Sequence, residues 1–275
     1  MSVDVTEGRS ASEIRAHYEV ERELAARLRS ATPTERRTLY TALYDELFRT
    51  VGLHPQVQKM GAGSGMATQL RLLERYLQTE SVFLEIGAGD CALALAIADR
   101  VQRAYAIDVS TEITAAVPRR ENLSVIITDG VSIPVPPASA TLAYSNQVLE
   151  HLHPDDALDQ MRQIYTALSP GGRYVCVTPN RLTGPHDISK YFDTSATGFH
   201  LREYTATELA HLMRSAGFES AQMWTTRRGI SVRLPWHVVR AAERAIERSP
   251  HGRRRRIGRS LPLRVVLECY VVGLK

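Results

Sequence analysis

The amino-acid sequence predicts an α/β protein built on a doubly wound, mainly parallel sheet. Two observations carry this. From residue 81 onward, short apolar strands alternate with amphipathic helices, the pattern of parallel strands joined by crossovers. The first strand also runs into a glycine turn, Glu85-Ile86-Gly87-Ala88-Gly89, that opens a helix. Strands are expected at 82–86, 104–108, 123–127, 141–145, 173–178, 218–225 and 265–274, and helices at 93–98, 154–168 and 205–216. Pro154 suits a first helical position, and Thr205 with Glu208 forms a capping box. In such sheets ligands sit at the carboxyl ends of the strands, near the point where strand order reverses.

Ahead of the sheet, residues 1–80 read as a helical region that either caps a site or serves packing and dimerisation. Ile14, Tyr18, Leu24 and Leu28 recur at helical spacing. Pro33 opens a second run through Leu39, Leu43, Leu47 and Phe48, with Thr32 as its cap. The glycines of 61–65 break the pattern before a third helix at 67–77. Residues 81–275 form the main unit, with inserted segments at about 180–204 and 227–264.

Bulk properties exclude several classes. Hydrophobic residues at 44% and charged residues at 23% describe a globular chain, not a disordered one. The acidic start lacks a signal-type apolar core, and no apolar run is long enough to span a bilayer, so a cytoplasmic protein is expected. Cys91, Cys176 and Cys269 stand far apart and match neither a metal site nor a disulfide framework. The net charge of +4 is local in origin: residues 227–264 hold twelve arginines against Glu243 and Glu247, which leaves the remainder at about −6. A uniformly basic DNA-binding surface is therefore not expected. Pro235 opens an amphipathic helix there, with Val238, Val239, Ala242 and Ile246 on one face, and Arg253 to Arg256 follow in a polar turn.

A strand, a glycine turn and a helix bind a nucleotide-like ligand, because glycines let the backbone approach closely and accept positive φ. Gly87-Ala88-Gly89-Asp90-Cys91-Ala92 also fits a dinucleotide fingerprint, with Asp108 about twenty residues on. Glu85 argues against that reading. A carboxylate at the end of the first strand suits a cationic ligand and not a pyrophosphate. Asp129-Gly130 after the third strand adds another acid at the same edge.

Together these segments resemble the class I S-adenosylmethionine-dependent methyltransferase family, in its small-molecule branch, over residues 81–220. Val82 to Asp90 resembles its first motif, with Cys91 in place of the third glycine. Ser145-Asn146-Gln147-Val148-Leu149-Glu150-His151-Leu152 resembles the segment after strand four, Leu168 to Arg173 the turn into strand five, and His200 to Thr205 with Ala216 to Phe218 the last helix. The resemblance implies a Rossmann-like seven-stranded sheet with an antiparallel last strand. It also implies S-adenosylmethionine held by Glu85, Gly87, Ala88, Gly89, Asp108, Val109, Asp129, Gly130, Asn146 and Gln147. Asp108 would hold the ribose hydroxyls and Asp129 the adenine.

Histidine is the natural base near neutral pH for a hydroxyl or acidic C–H acceptor. The candidates are His186, His151 and His200, in that order; packing near the cofactor is the competing role for His151, and anchoring the next helix for His200. His151, His153, Asp155 and Asp156 superficially resemble a metal cluster, but two aspartates in a first helical turn serve the helix dipole, so no metal is expected there. Ser145-Asn146-Gln147-Val148 stands where the amino-group methylases of bases carry an Asn/Asp-Pro-Pro-aromatic tetrad, which disfavours that class. The expectation is a bacterial biosynthetic enzyme, compatible with a homodimer, that O-methylates a secondary metabolite or sugar. The acceptor would carry phosphate or carboxylate if the arginines of 227–264 cover its pocket. An RNA or nucleotide methyltransferase using those arginines, and a non-catalytic cofactor-binding protein, are the alternatives.

Overall fold

The computed structural model describes residues 9–51, 65–227, 230–258, 260–267 and 269–275. Its strands are β1 (Val82–Ile86), β2 (Arg103–Asp108), β3 (Leu123–Ile127), β4 (Ala140–Asn146), β5 (Leu168–Thr178), β6 (Ser220–Arg227), β7 (Ile230–Leu234) and β8 (Cys269–Leu274). They form one sheet in the order β3-β2-β1-β4-β5-β8-β6-β7. The pairs from β3 through to β5 are parallel, while β8 runs antiparallel to both β5 and β6. The order reverses between β1 and β4, which opens a crevice above their carboxyl ends.

The helices are α1 (Ala11–Ser30), α2 (Pro33–Thr50), α3 (Met66–Leu73), α4 (Ala92–Ala98), α5 (Thr111–Thr114), α6 (Pro154–Ala167), α7 (Ala206–Ser215), α8 (Trp236–Glu247), α9 (His251–Gly258) and α10 (Leu261–Val266). Alternation along the strands divides the core in two. Leu84, Ala143, Tyr174 and Val271 join one cluster with α6, α7 and the α1–α2 hairpin. Their neighbours Phe83, Leu142, Val175 and Val272 join the other with α3 and α4.

Three expectations are corrected. The sheet has eight strands, not seven, because β7 folds back on β6 as a hairpin at the edge. Its alternation of Ile230, Val232 and Leu234 with Ser231 and Arg233 is a strand signature. The last strand begins at Cys269 and not at Val265, because Leu261–Val266 is helical with a proline at its start. Arg253 to Arg256 lie in a helix, not in a polar turn. The capping boxes at Thr32–Glu35 and Thr205–Glu208 are present as expected, and a third, Ser10–Glu13, starts α1. Most of the glycine break at 61–65 lies outside the described residues.

The hairpin of α1 and α2 is fixed to the first turn of α6 by a buried ion pair. Arg36 donates from Nε and Nη2 to both oxygens of Asp156, at 2.6 and 2.8 Å. Tyr40 donates its hydroxyl to the same carboxylate at 2.7 Å and accepts from the His153 amide at 2.9 Å. Arg36 is 2% exposed and Asp156 5%, so neither charge has water to fall back on. Burial would raise the Asp156 carboxyl, but Arg36 and Tyr40 hold it below the usual range. Asp156→Ala would strand the guanidinium. It is expected to cost about 3–5 kcal/mol in urea unfolding, with Arg36→Ala less damaging than the full loss because Tyr40 still satisfies the carboxylate. Stability within about 0.5 kcal/mol of wild type for Asp156→Ala would show that the hairpin is not anchored there.

Candidate functional site

β1 ends at Ile86, and the chain turns over the end of β2. The amides of Gly87 and Ala88 both donate to the Ile107 carbonyl, at 2.8 and 3.0 Å. Gly87 and Gly89 have φ of +68° and +55°, and a Cβ on Gly87 would collide with Val148. Cys91 also lies in the left-handed region, at φ 57°, as the residue preceding α4. This is the position where the related motif has its third glycine, so the turn keeps the conformation while the side chain is buried. Burial pushes the Cys91 thiol up to about 12, which makes it an inert packing group.

Asp108 closes the turn from the tip of β2. Its carboxylate accepts from the amides of Gly89, Val109 and Ser110 at 2.7, 2.8 and 2.9 Å. Burial nevertheless raises its pKa, the three amide bonds opposing the shift. Glu85 lies deeper in β1. Burial pushes its carboxyl well above the usual range, and its Oε2 has no hydrogen-bond partner.

These elements enclose a cavity of about 280 Å³. Among the expected cofactor residues, Gly87, Gly89, Asp108, Val109, Gly130, Asn146 and Gln147 line it, whereas Glu85, Ala88 and Asp129 do not. Asp129 is engaged elsewhere: it accepts from Arg37 at 2.7 Å, from Ser132 Oγ, and from the amides of Val131 and Ser132. Burial works against it, yet these donors hold its pKa below the usual range. The opposite wall comes from α2 as Tyr40, Tyr44 and Phe48, an aromatic stripe at four-residue spacing whose role the sequence reading missed. Gln160, also missed, reaches the cavity from α6 and donates to the Gly130 carbonyl at 2.7 Å.

The three histidines separate. His151 lines the first cavity, and its Nδ1 lies 3.0 Å from the Phe199 carbonyl. A carbonyl only accepts, so Nδ1 carries the hydrogen. His186 lines a second cavity of about 690 Å³, with Asn180, Thr178, Thr226 and Tyr270. Its Nε2 lies 3.1 Å from the Asn180 carbonyl, and its amide donates to Glu203 at 2.7 Å. His200 lines neither cavity. It is buried, with Nδ1 2.8 Å from Glu203 Oε1 and its ring edge-on to His151 at 4.8 Å. Burial would lower its pKa, but the Glu203 hydrogen bond and the charges of Glu150, Glu203 and Asp187 raise it to about 9. Gln147 lines both cavities, from a left-handed backbone at φ 58°.

The arginine segment lies elsewhere. Among the described residues, none of its arginines lines either cavity. Ile246, Ile257 and Leu263 pack instead on Leu182, behind the turn that leads to His186. The described residues contain no helix long and apolar enough to cross a membrane.

The methyltransferase-domain family matches residues 63–222, and the chain belongs to it. A protein of Mycolicibacterium smegmatis named probable S-adenosylmethionine-dependent methyltransferase is 37% identical over 138 residues, which is 50% of this chain and 51% of that one. A Mycobacterium tuberculosis protein of the same description is 33% identical over 51% of this chain and 49% of its own length. The chain thus spans about half the length of the curated relatives it matches. Two solved structures share the fold. One is Burkholderia thailandensis 1,6-didemethyltoxoflavin-N1-methyltransferase, with TM-score 0.54 and 18% identity, covering 89% of this chain and 91% of that one. The other is an Archaeoglobus fulgidus SAM-dependent methyltransferase, with TM-score 0.50 and 15% identity, covering 76% and 92%.

The residues fit S-adenosylmethionine. The glycine turn leaves no side chain between backbone and ligand, Asp108 stands at the cavity wall, and Glu85 holds an orphaned buried acceptor beneath it. Gly87→Val, by its collision with Val148 and its positive φ, is expected to abolish binding of S-adenosylhomocysteine. Asp108→Ala is expected to weaken it by about 1.5–3 kcal/mol, the scale of a hydrogen bond to a charged group. Calorimetry showing unchanged affinity in Asp108→Ala, or binding of NAD in place of S-adenosylhomocysteine, would refute the assignment.

Proposed function

We propose that this protein transfers a methyl group from S-adenosylmethionine to a hydroxyl of a small molecule bound in the second cavity. The observation that carries the reading is the shared wall: Gln147 lines both the cavity below the glycine turn and the larger one beside His186. A donor in one and an acceptor in the other would meet at that residue. The cofactor, when bound, supplies a methyl on a sulfonium, a carbon already activated for displacement. Gly87, Gly89, Asp108, Val109, Gly130, Asn146 and Gln147 would hold it, with Tyr40, Tyr44 and Phe48 of α2 excluding water.

His186 is the proposed base. The Asn180 carbonyl keeps the hydrogen on Nε2, which leaves Nδ1 as the basic nitrogen of the neutral ring. Alignment supplies much of the acceleration in such a transfer, and the base matters only for a neutral acceptor. The domain-wide likeness to an N1-methyltransferase supports the fold. Among the described residues no arginine of 227–264 lines the second cavity, so that segment receives no part in this reading.

The test is transfer of labelled methyl to a panel of hydroxylated metabolites and sugars, followed by His186→Gln on the best acceptor. The rate is expected to fall about 10²–10⁴-fold with cofactor affinity unchanged. A rate within a few-fold of wild type would remove His186 as the base. Methylation of nitrogen alone, or of RNA in a salt-sensitive manner, would overturn the hydroxyl acceptor.

A further inference from the structure

We propose that Glu150, His151 and His200 form a binding site for a divalent transition-metal ion of the zinc class. One carboxylate oxygen of Glu150 and one ring nitrogen from each histidine lie within 4.8 Å of one another. They come from two places far apart in sequence: the turn after β4 supplies Glu150 and His151, and the segment before α7 supplies His200. The cluster differs from the His151-to-Asp156 motif, in which His153 caps α6 and Asp156 is spent on Arg36.

Each member is oriented by a partner behind it. His200 Nδ1 lies 2.8 Å from Glu203 Oε1, and His151 Nδ1 lies 3.0 Å from the Phe199 carbonyl. Both acceptors take the hydrogen on Nδ1 and turn Nε2 the other way, and on His200 the ion would take the place of the Nε2 proton. A carboxylate or carbonyl behind a histidine is the usual support of a metal-binding imidazole. Glu150 Oε2 accepts from Thr178 at 2.8 Å, while its Oε1 is fully buried and has no hydrogen-bond partner. An unpaired carboxylate oxygen at 0% exposure is costly unless a cation meets it.

Two imidazoles and one carboxylate are a ligand set that zinc and its neighbours accept, leaving a further coordination position. His151 stands in the wall of the first cavity, and Thr178, which holds Glu150, in the wall of the second. The ion would therefore sit beside the meeting point of the two. Metal–ligand distances of about 2.0–2.1 Å place tetrahedral ligand atoms roughly 3.3 Å apart, so binding draws the three side chains inward. The acids Glu150, Glu203 and Asp187 act on His200, and Arg29, whose guanidinium donates to the His200 carbonyl, feels the charge of Asp187 among them. Their balance leaves negative charge for a dication to neutralise.

The experiment uses the full chain stripped by chelator and titrated with Zn²⁺, and with Co²⁺ as a spectroscopic substitute. One equivalent of Zn²⁺ is expected, together with the visible bands of four- or five-coordinate cobalt and two paramagnetically shifted histidine resonances. Glu150→Gln and His151→Asn should each weaken Zn²⁺ binding at least about tenfold, while His153→Asn leaves it unchanged. No stoichiometric uptake by the wild type, or equal uptake by Glu150→Gln and His151→Asn, would overturn the site. Urea unfolding reports that each variant is folded, and S-adenosylhomocysteine affinity is measured on the same samples. That affinity keeps this site separate from the methyl-transfer reading, since failure to bind S-adenosylhomocysteine with metal uptake intact would sink only the latter.

Discussion

The carboxylate of Asp108 joins the ends of β1 and β2 and sets the shape of everything above them. It accepts three amide hydrogens, one from the glycine turn and two from its own loop. Each amide belongs to a group that regular structure leaves unpaired, so the carboxylate replaces backbone partners that the sheet does not provide there. The arrangement also explains the glycines. With the turn pulled onto Asp108, Gly87 is forced against Val148 of the neighbouring loop, where no Cβ fits. A ligand in the cavity must work with a carboxylate whose amide bonds are already made, so in the proposed reading Asp108 would meet the cofactor with the same carboxylate that forms the turn.

The roof over this turn depends on buried charge. α2 turns Tyr40, Tyr44 and Phe48 to the cavity, and its grip on α6 is the Arg36–Asp156 pair. α1 reaches the segment before α7 in a similar way. The Phe199 amide donates to Glu21 at 3.0 Å, and Tyr18 donates its hydroxyl to Asp193 at 2.6 Å. Removing one partner of a buried pair costs more than the pair contributes. Such contacts therefore fix where the roof sits more than they add to stability, and the aromatic wall is held at a defined height above the glycine turn.

The strands and the glycine turn were legible because short range determines them. Apolar runs such as Val82 to Ile86 and the Gly87–Gly89 spacing need only local sterics to be read. β7 carries the same local signature, since Ile230 to Leu234 alternates cleanly, although it stands inside an arginine-rich stretch. The cavity wall on α2 was harder. A stripe of Tyr40, Tyr44 and Phe48 at helical spacing looks the same whether it faces a core or a ligand, and only the Asp156 anchor decides which. His200 shows the limit. Its sequence neighbours say nothing of Glu150, fifty positions earlier, and their meeting depends on how the segment before α7 returns over β4 and β5.

The arginine segment carries the remaining argument about what charge can be made to mean. Its net excess looked like a partner-binding feature in the sequence, yet three of its charged residues are already accounted for by the fold. Glu243 accepts the Thr207 amide at 3.1 Å near the start of α7, Glu247 accepts from Arg181 at 2.6 Å, and Arg254 donates to the carbonyls of Ser249 and Glu247. Arg181 also pairs with Glu208 and lies beside Asn180, which holds His186. The helices of this segment thus buttress the loop that presents His186 from behind. A substitution at Glu247 or Arg254 would reach the second cavity through the position of that loop.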